Sequence, residues 1–430
     1  MLVSCSAGNG IAGGSSVETN ARATESAAGT EADGVREGTE TLDPTENMTP
    51  YEIEIYNAHK RSVLYEGSGE MKSAIAEVIG RASRGERVSL VTFGDSITLG
   101  AGADTGKGWS DIVYGWFEAL DGDPGNGNVV FTNAGIGSTE LVYGVSRVSR
   151  DVLSADPDIV IVDFGTNDVG LPYAVEAYEG IFTKLVSAGI PVISSHVCPR
   201  SGANIQEKQT PVNKAYGVPQ LSFKSAFYEL SGNTQFENLG ADSIWSADNV
   251  HPTNVGHALY ADMVISYFEK YIIAPGIVGG KLSGALPKPV TGNGFSRAEF
   301  VDASSDSGLI TVEKCDGWTD DYKAKLLQIS SSGWQTSETG SQITFRVCSG
   351  SLHVMFACSK KTAYADVYVD GVKTGQINWG YSESKWMTIY CVYHGLGEGP
   401  HTVEFRLVDS PKTENDWFGI CGFGILAENS

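Results

Sequence analysis

A serine, a histidine and an aspartate in this chain have the types and spacing of a nucleophilic site. Ser96 follows an apolar run in "VTFGDSITLG", and His251 comes three residues after Asp248 in "SADNVHPTNVGH". A serine hydroxyl is a weak nucleophile that needs an imidazole as general base, and the imidazole needs a carboxylate to fix its tautomer and orientation. One turn of chain can hold Asp248 against the ring of His251. We therefore expect these three side chains to act together.

Two further loops contain candidate donors for the oxyanion that such a nucleophile generates. Asn167 lies in "FGTND" after a predicted strand, and "NAGIGSTE" follows another predicted strand. Parallel strands share one carboxyl edge, so both loops should meet Ser96 there. The side-chain amide of Asn167 and backbone N–H groups of these loops are suited to bind developing negative charge. On its own, however, Gly-Asp-Ser is also a common turn whose serine merely caps the next segment.

Strand and helix patterns alternate over the region that contains these motifs. Apolar strands are predicted at 88–93, 128–133, 158–164, 190–195 and 218–223, and helices at 51–86, 109–120, 139–153, 173–188 and 253–270. Near-continuous apolar strands separated by amphipathic helices indicate a parallel sheet covered on both faces. The sequence therefore predicts an α/β domain.

The rest of the chain differs from this domain in composition. Residues 1–50 contain eight acidic residues and two arginines with few large apolar side chains, which predicts a disordered acidic tether. The α/β domain should span 51–275, and 276–294 has the composition of a linker. From 295 to 430 the pattern alternates with period two, with Asp370-Gly371 as a hairpin turn, which predicts an all-β, jelly-roll-like sandwich.

The order of four motifs resembles that of the SGNH/GDSL hydrolase family. They are Gly94-Asp95-Ser96, Asn133-Ala134-Gly135, Gly165-Thr166-Asn167-Asp168 and Asp248-x-x-His251-Pro252. The resemblance covers residues 70–270 and implies a flavodoxin-like three-layer α/β/α fold. It also implies Ser96 as nucleophile, His251 as base, Asp248 as the orienting acid, and an oxyanion hole formed by Ser96, Ser138 and Asn167.

One position departs from the family pattern. Where the family normally has its oxyanion glycine, this chain has Ser138, with Gly137 beside it. The donor is a backbone N–H, which serine also supplies, so we expect the role to be kept.

Several other polar residues have simpler interpretations. Asp95 and Asp168 are expected to bind loop backbone rather than to serve as the acid of the triad. His257 is expected to pack within the last helix, and His196 is a weaker candidate for the cleft. The stretch "GAGADTGKGW" lacks the first glycine and the serine or threonine of a phosphate loop.

Charge and residue spacing exclude several classes of partner. A net charge of −22 argues against nucleic acid and against an anionic membrane surface. No histidine–carboxylate or CxxC cluster has metal-ligand spacing, so we expect no metal and no cofactor. The cysteines in the last third are expected mostly as buried thiols, with one disulfide as the alternative.

The first residues contain a candidate lipid-attachment site. Leu2-Val3-Ser4-Cys5 resembles the cleavage box of a bacterial lipoprotein, although the charged start and apolar segment of a signal peptide do not precede it. We therefore expect an extracellular protein, anchored to the cell surface through Cys5. The alternative is a cytosolic protein in which this cysteine has no such role.

These features together predict a serine esterase that deacetylates an acetylated polysaccharide or oligosaccharide through an acyl-enzyme. The serine chemistry follows from the residues, whereas the glycan substrate is implied by the resemblance. A lipase, thioesterase or acyltransferase of the same fold is one alternative, and a surface glycan-binding protein without turnover is another. The tryptophans of the sandwich, most of which should lie in its core, could supply a sugar-stacking face; they are Trp318, Trp334, Trp379, Trp386 and Trp417.

Overall fold

The structure is a computed structural model that describes most of the chain after residue 43. The described residues are 44–232, 237–303, 307–320, 330, 333–358, 364–378, 386–397, 399–409 and 417–427. The acidic tether predicted for 1–50 lies outside these residues as far as position 43, and so does Cys5. Trp379 also lies outside them.

A six-stranded sheet forms the centre of the first domain. Its strands are β1 (Val63–Tyr65), β2 (Val88–Gly94), β3 (Val129–Gly135), β4 (Ile159–Asp163), β5 (Val192–His196) and β6 (Gln220–Ser222). They lie in the order β1-β6-β5-β4-β2-β3, and β2 to β6 run parallel. Every residue of β2, β4, β5 and β6 is buried, as a parallel sheet covered on both faces requires. The parallel strands have the flavodoxin-like order, so this prediction is confirmed.

Helices cover this sheet in two groups. The helices are α1 (Pro50–Ser62), α2 (Gly69–Ser83), α3 (Ser96–Leu99), α4 (Trp109–Glu118), α5 (Leu141–Asp151), α6 (Ala174–Ser187), α7 (Gln206–Tyr216), α8 (Ala241–Ile244) and α9 (Asn254–Tyr267). Helix α6 packs between α5 and α7, whereas α9 packs against α1 and α4. A π-helical turn at Phe268–Ile273 continues α9. Right-handed crossovers between parallel strands account for this division into two faces.

The sequence patterns were wrong for one segment of this domain and gave no prediction for several of its elements. The segment predicted as one helix at 51–86 consists of two helices with β1 between them. Strand β1 interrupts the helix because it pairs antiparallel with β6. The side chain of Ser68 then caps α2 by accepting a hydrogen bond from the N–H of Met71. Helix α7 was not predicted, because its sequence "QEKQTPVNKAY" is polar and contains Pro211.

The described part of the last third consists of antiparallel strands. They are β7 (Ala298–Asp302), β8 (Ile310–Asp316), β9 (Trp334–Thr336), β10 (Gln342–Val347), β11 (Ser351–Cys358), β12 (Tyr364–Val369), β13 (Val372–Ile377), β14 (Trp386–His394), β15 (His401–Val408) and β16 (Phe418–Leu426). One sheet has the order β13-β12-β15-β10-β8 and the other β14-β11-β16-β7, with β9 beside β16. Phe345 and Phe405 of the first sheet share a core with Phe356 and Phe423 of the second, so the two sheets form the predicted sandwich.

The hairpin predicted at Asp370-Gly371 is present. The pair joins β12 to β13, and its φ angles are 51° and 76°. Two consecutive positive φ values are characteristic of the tight hairpin turn for which an Asp-Gly pair is suited.

Tryptophans and cysteines of the sandwich contribute to its packing as far as they are described. Trp318 is buried, and Trp334 donates from Nε1 to the carbonyl of Ala303 at 2.8 Å. Cys315, Cys348 and Cys391 are free thiols, of which Cys315 is exposed rather than buried. The expectation of buried thiols is therefore wrong for Cys315.

The segment between the domains is held against the first domain by a buried carboxylate. Glu179 of α6 is fully buried and accepts hydrogen bonds from the backbone N–H groups of Val290 and Thr291, both at 2.6 Å. Lys184, one turn further along α6, donates to Glu299 at 2.7 Å and to the carbonyl of Ala298. The predicted linker thus has a defined path over α6, and β7 is attached to the same helix.

A second contact between the domains lies under the loop that follows β3. Ile136 and Tyr143 pack with Met355, Ala357 and Cys421 of the sandwich in one apolar cluster. The sandwich therefore supports the loop in which Ser138 lies.

Among the helices of the described residues, none combines the length and apolar character that crossing a membrane requires.

Candidate active site

The structure brings Ser96, His251 and Asp248 into one hydrogen-bonded chain. Ser96 is the first residue of α3, directly after β2, and the other two lie in the loop between α8 and α9. Nε2 of His251 is 2.9 Å from Oγ of Ser96, and Nδ1 of His251 is 2.6 Å from Oδ2 of Asp248. These are the contacts that a nucleophile, a base and an orienting acid need.

Close backbone approaches explain why two positions next to the Ser96–His251–Asp248 triad are occupied by glycine. A Cβ atom on Gly94 would lie 2.1 Å from Oγ1 of Thr98 and 2.4 Å from the carbonyl oxygen of Asp163. Gly102, at φ +94°, faces the carbonyl of Pro252 and the Cβ of His251 in the same way. Any side chain at these sites would displace the turn before Ser96 or the loop that contains His251.

Asp248 is held in its ionised form. Its Oδ1 accepts hydrogen bonds from Oγ of Ser246 at 2.7 Å and from the backbone N–H groups of Val250 and His251 at 2.8 and 3.0 Å. Partial burial acts to raise the pKa of Asp248, but the hydrogen bonds from His251, Val250 and Ser246 outweigh it and hold the pKa well below its usual range. The carboxylate therefore keeps the proton of His251 on Nδ1 and leaves Nε2 as an acceptor for the hydroxyl of Ser96.

The predicted oxyanion donors lie on three neighbouring loops. Within the described residues, the backbone N–H groups of Ser96 and Ser138 have no acceptor in the protein. Ser138 adopts φ 60°, a left-handed conformation that favours glycine. The amide of Asn167 is already engaged, since Nδ2 donates to Oδ2 of Asp95 at 3.2 Å and to the carbonyl of Thr139 at 3.1 Å.

A buried arginine that the sequence patterns did not single out supports these loops. The guanidinium of Arg147 is fully buried and donates to the carbonyls of Ala134 at 2.7 Å and of Gly94 at 2.8 Å. It also pairs with Asp151 at 3.0 Å and lies 4.4 Å from the ring centroid of Phe93. The i, i+4 spacing of Arg147 and Asp151 on α5 was the one signal in the sequence.

Asp95 and Asp168 bind loop backbone, as predicted. Oδ1 of Asp95 accepts from the N–H of Ile97 at 2.9 Å, and Oδ1 of Asp168 accepts from the N–H of Leu141 at 2.8 Å. Burial raises the pKa of Asp168 to about 7. Burial, reinforced by the charge of Asp168, raises the pKa of Glu140 to about 8. Titratable groups with such perturbed pKa values cluster at functional sites.

The two remaining histidine candidates lie outside the triad. His257 accepts on Nδ1 from the N–H of Trp109 at 3.2 Å and donates from Nε2 to the carbonyl of Ala101 at 3.0 Å, so it packs in α9 as predicted. His196 is buried and bonds to Ser194 and to the carbonyl of Phe164, which places it in the core. In the part of the chain that the structure describes, no three His, Cys, Asp or Glu side chains converge as metal ligands.

Comparisons with known proteins show what this chain is similar to in sequence and in fold. Residues 92–259 match the model of the GDSL-like lipase/acylhydrolase family. A search of curated proteins returned no match. Among solved structures, a two-domain esterase (CEX) active on acetylated mannans has a TM-score of 0.75 and 24% identity, covering 86% of this chain and 99% of that chain. The same esterase co-crystallised with mannopentaose has a TM-score of 0.74 and 24% identity, covering 86% and 98%. The likeness shows that both parts of this chain share that two-domain fold.

The raised pKa of Glu140 predicts how stability depends on pH. The carboxyl keeps its proton in the folded protein up to pH about 8, whereas an unfolded glutamate loses it near pH 4.3. The contribution of Glu140 to the free energy of unfolding is therefore fully present below about pH 4 and is lost as pH rises towards about 8. Glu140→Gln, which imitates the neutral acid, should reduce the fall in the free energy of unfolding between about pH 5 and 8 by on the order of 2 kcal/mol.

Urea unfolding at several pH values measures this effect. Glu207→Gln on α7 is the matched control, because the side chain of Glu207 is 66% exposed. If the free energy of unfolding of Glu140→Gln depended on pH as that of wild type does, the raised pKa of Glu140 would be contradicted.

Proposed function

We propose that the protein is a serine esterase that removes acetyl groups from a polysaccharide or oligosaccharide, since residues 92–259 match the model of the GDSL-like lipase/acylhydrolase family. The observation that carries the proposal is the continuous chain of hydrogen bonds from Ser96 through His251 to Asp248. It supplies a nucleophile, a base and an orienting acid at the carboxyl edge of a parallel sheet.

The reaction proceeds in two half-reactions through an acyl-enzyme. Oγ of Ser96 attacks the ester carbonyl while Nε2 of His251 takes its proton, and Asp248 stabilises the imidazolium that forms. The N–H groups of Ser96 and Ser138 and the amide of Asn167 bind the oxyanion. His251 then gives the proton to the departing sugar oxygen. In the second half-reaction, water gives a proton to His251 and attacks the acyl carbonyl. His251 then returns that proton to Oγ of Ser96 as the bond between Oγ and the acyl carbon breaks, which releases acetic acid and restores the free serine.

The acetylated glycan is supported by the two-domain likeness. A solved structure that matches both domains is an esterase active on acetylated mannans, and this chain covers 99% of it. A lipase, thioesterase or acyltransferase would use the same three residues, so the triad does not distinguish between these substrate classes. A glycan-binding protein without turnover is less well supported, because binding alone needs no ordered nucleophile and base.

The triad predicts a specific ranking of variants. Ser96→Ala and His251→Ala should each lower kcat by about 10³-fold or more with little change in melting temperature, because the members of a triad act as a unit. Asp248→Asn should cost less than either. Hydrolysis of 4-nitrophenyl acetate measures the ranking, and acetate release from acetylated mannan and xylan measures the substrate class.

Asp168→Asn is the comparison that tests the choice of acid. If it were more damaging than Asp248→Asn in a folded protein, the assigned acid would be wrong. If wild type released no acetate from any acetylated glycan but cleaved long-chain acyl esters, the lipase alternative would replace the proposal.

The oxyanion assignment predicts that the side chain of Ser138 is dispensable. Ser138→Gly and Ser138→Ala keep the N–H and should retain kcat within about tenfold, whereas Asn167→Ala should cost on the order of a hundredfold. Glycine is free to adopt the φ of 60° at this position, so Ser138→Gly should melt no lower than Ser138→Ala. Kinetics and thermal unfolding of the three variants check this. A severe loss of kcat in Ser138→Ala would mean that the hydroxyl contacts the substrate and that Gly137 is the backbone donor.

The proposed substrate fits an extracellular location, with a lipid on Cys5 as the anchor to the cell surface. A lipid-anchored protein should be found in the membrane fraction of its host and should leave it on Cys5→Ala. Fractionation followed by immunoblotting measures this. An even, soluble distribution of wild type and variant would contradict the anchor without affecting the esterase proposal.

A further inference from the structure

The amide of Asn167 uses both of its hydrogens on protein acceptors. Nδ2 donates to the carbonyl of Thr139 at 3.1 Å and to Oδ2 of Asp95 at 3.2 Å. A primary amide has two donor hydrogens on nitrogen and acceptor sites on oxygen. The two acceptors therefore fix its orientation, because a flipped amide would place its oxygen against two other oxygens. It follows that Asn167 can donate to an oxyanion only after one of these contacts is given up.

Asp95 is the charged member of this pair and the residue next to the nucleophile. It is 2% exposed and lies between the end of β2 and Ser96. Its Oδ1 accepts from the N–H of Ile97 at 2.9 Å and thereby caps α3, of which Ser96 is the first residue. One carboxylate thus contacts both the turn that presents Ser96 and the amide of Asn167.

The two acceptors of Asn167 differ in strength and in setting. A hydrogen bond to a carboxylate is about twice as strong as one to a neutral carbonyl. Thr139 belongs to the loop that contains Ser138, which is in a strained left-handed conformation, whereas Asp95 is held by α3. The contact to Thr139 is therefore the one that an incoming oxyanion displaces more easily.

We propose that Asp95 is a positioning residue of the oxyanion hole: it holds one hydrogen of the Asn167 amide, so that the other moves from Thr139 to the substrate oxygen as negative charge develops there. The inference rests on the esterase function proposed above. The oxyanion hole is then completed by the reacting substrate rather than being fully formed beforehand, and Asp95 keeps the nitrogen of the amide directed towards it.

Burial and neighbouring charges have opposite effects on the pKa of Asp95. Burial raises the pKa of Asp95, and the hydrogen bond from Ile97 and the positive charge of Arg147 oppose that rise. On the neighbouring strand, the buried Asp163 has its pKa raised by burial and by the charge of Asp95. Arg147 therefore favours the carboxylate that accepts from Asn167.

Two substitutions of Asp95 separate the contact with Asn167 from the cap of α3. Asp95→Asn replaces one of the two oxygens, which accept separately from Ile97 and Asn167, with an NH2 donor, so that both contacts cannot be kept. Asp95→Ser keeps a helix-capping residue but has no second oxygen for Asn167. Asp163→Asn is the matched control, because Asp163 is equally buried and accepts from Thr98 without contacting Asn167.

Kinetics with 4-nitrophenyl acetate should show a loss confined to kcat. Both Asp95 variants should lower kcat by about tenfold or more with KM within about twofold, and Asp163→Asn should stay within about threefold of wild type. In an Asn167→Ala background, either Asp95 substitution should cost less than about threefold more, because residues that act through one another are not additive. Full additivity, or a wild-type kcat in both Asp95 variants, would overturn the proposal.

A second measurement does not depend on turnover. The side-chain amide signal of Asn167 in an NMR spectrum, identified by its loss in Asn167→Ala, should move in Asp95→Asn and stay in place in Asp163→Asn. An unmoved signal would overturn the proposal whether or not the protein is an esterase. Absence of turnover in wild type, with the signal moving as expected, would instead refute the esterase function on which the catalytic role rests.

Discussion

The guanidinium of Arg147 holds together the strand ends from which the site is built. It is fully buried and donates to the carbonyls of Gly94 and Ala134, at the carboxyl ends of β2 and β3. A buried cation without acceptors is costly, and so is a buried carbonyl without a donor. Here the cation of Arg147 and the two carbonyls satisfy one another. The ends of β2 and β3, from which the turn to Ser96 and the loop to Ser138 begin, are therefore held in place.

Buried carboxyl groups link these loops to one another. Asp95 joins the first turn of α3 to Asn167, and Asp168 joins the loop after β4 to Leu141 at the start of α5. Burial raises the pKa of both acids, which means that their ionised forms are less stable here than in water. The first domain therefore gives up stability to keep polar groups beside Ser96, as functional sites commonly do.

The sandwich contacts the first domain at other places besides the connecting segment. Glu179 and Lys184 of α6 bind the linker and the first strand of the sandwich, both with buried side chains. Ile136 packs with Met355 and Cys421, two residues away from Ser138 along the chain. The position of the oxyanion loop thus depends on apolar packing from both domains, which gives the sandwich a structural part in the site in addition to any contact with a glycan.

Local sequence patterns were enough to predict the parallel strands, most of the longer helices and the triad candidates. The β-branched run before Gly94, the three-residue spacing of Asp248 and His251, and the order of the motifs depend on chain segments that are short enough to be read directly. The same patterns merged α1, β1 and α2 into one helix, because β1 is a strand only through its pairing with β6, 155 residues or more along the chain. What the tertiary structure alone decided is which polar groups meet: Arg147 with the ends of β2 and β3, and Asp95 with Asn167. Periodicity reports burial and backbone conformation, whereas these hydrogen bonds exist only because the folded sheet brings its strand ends to one edge.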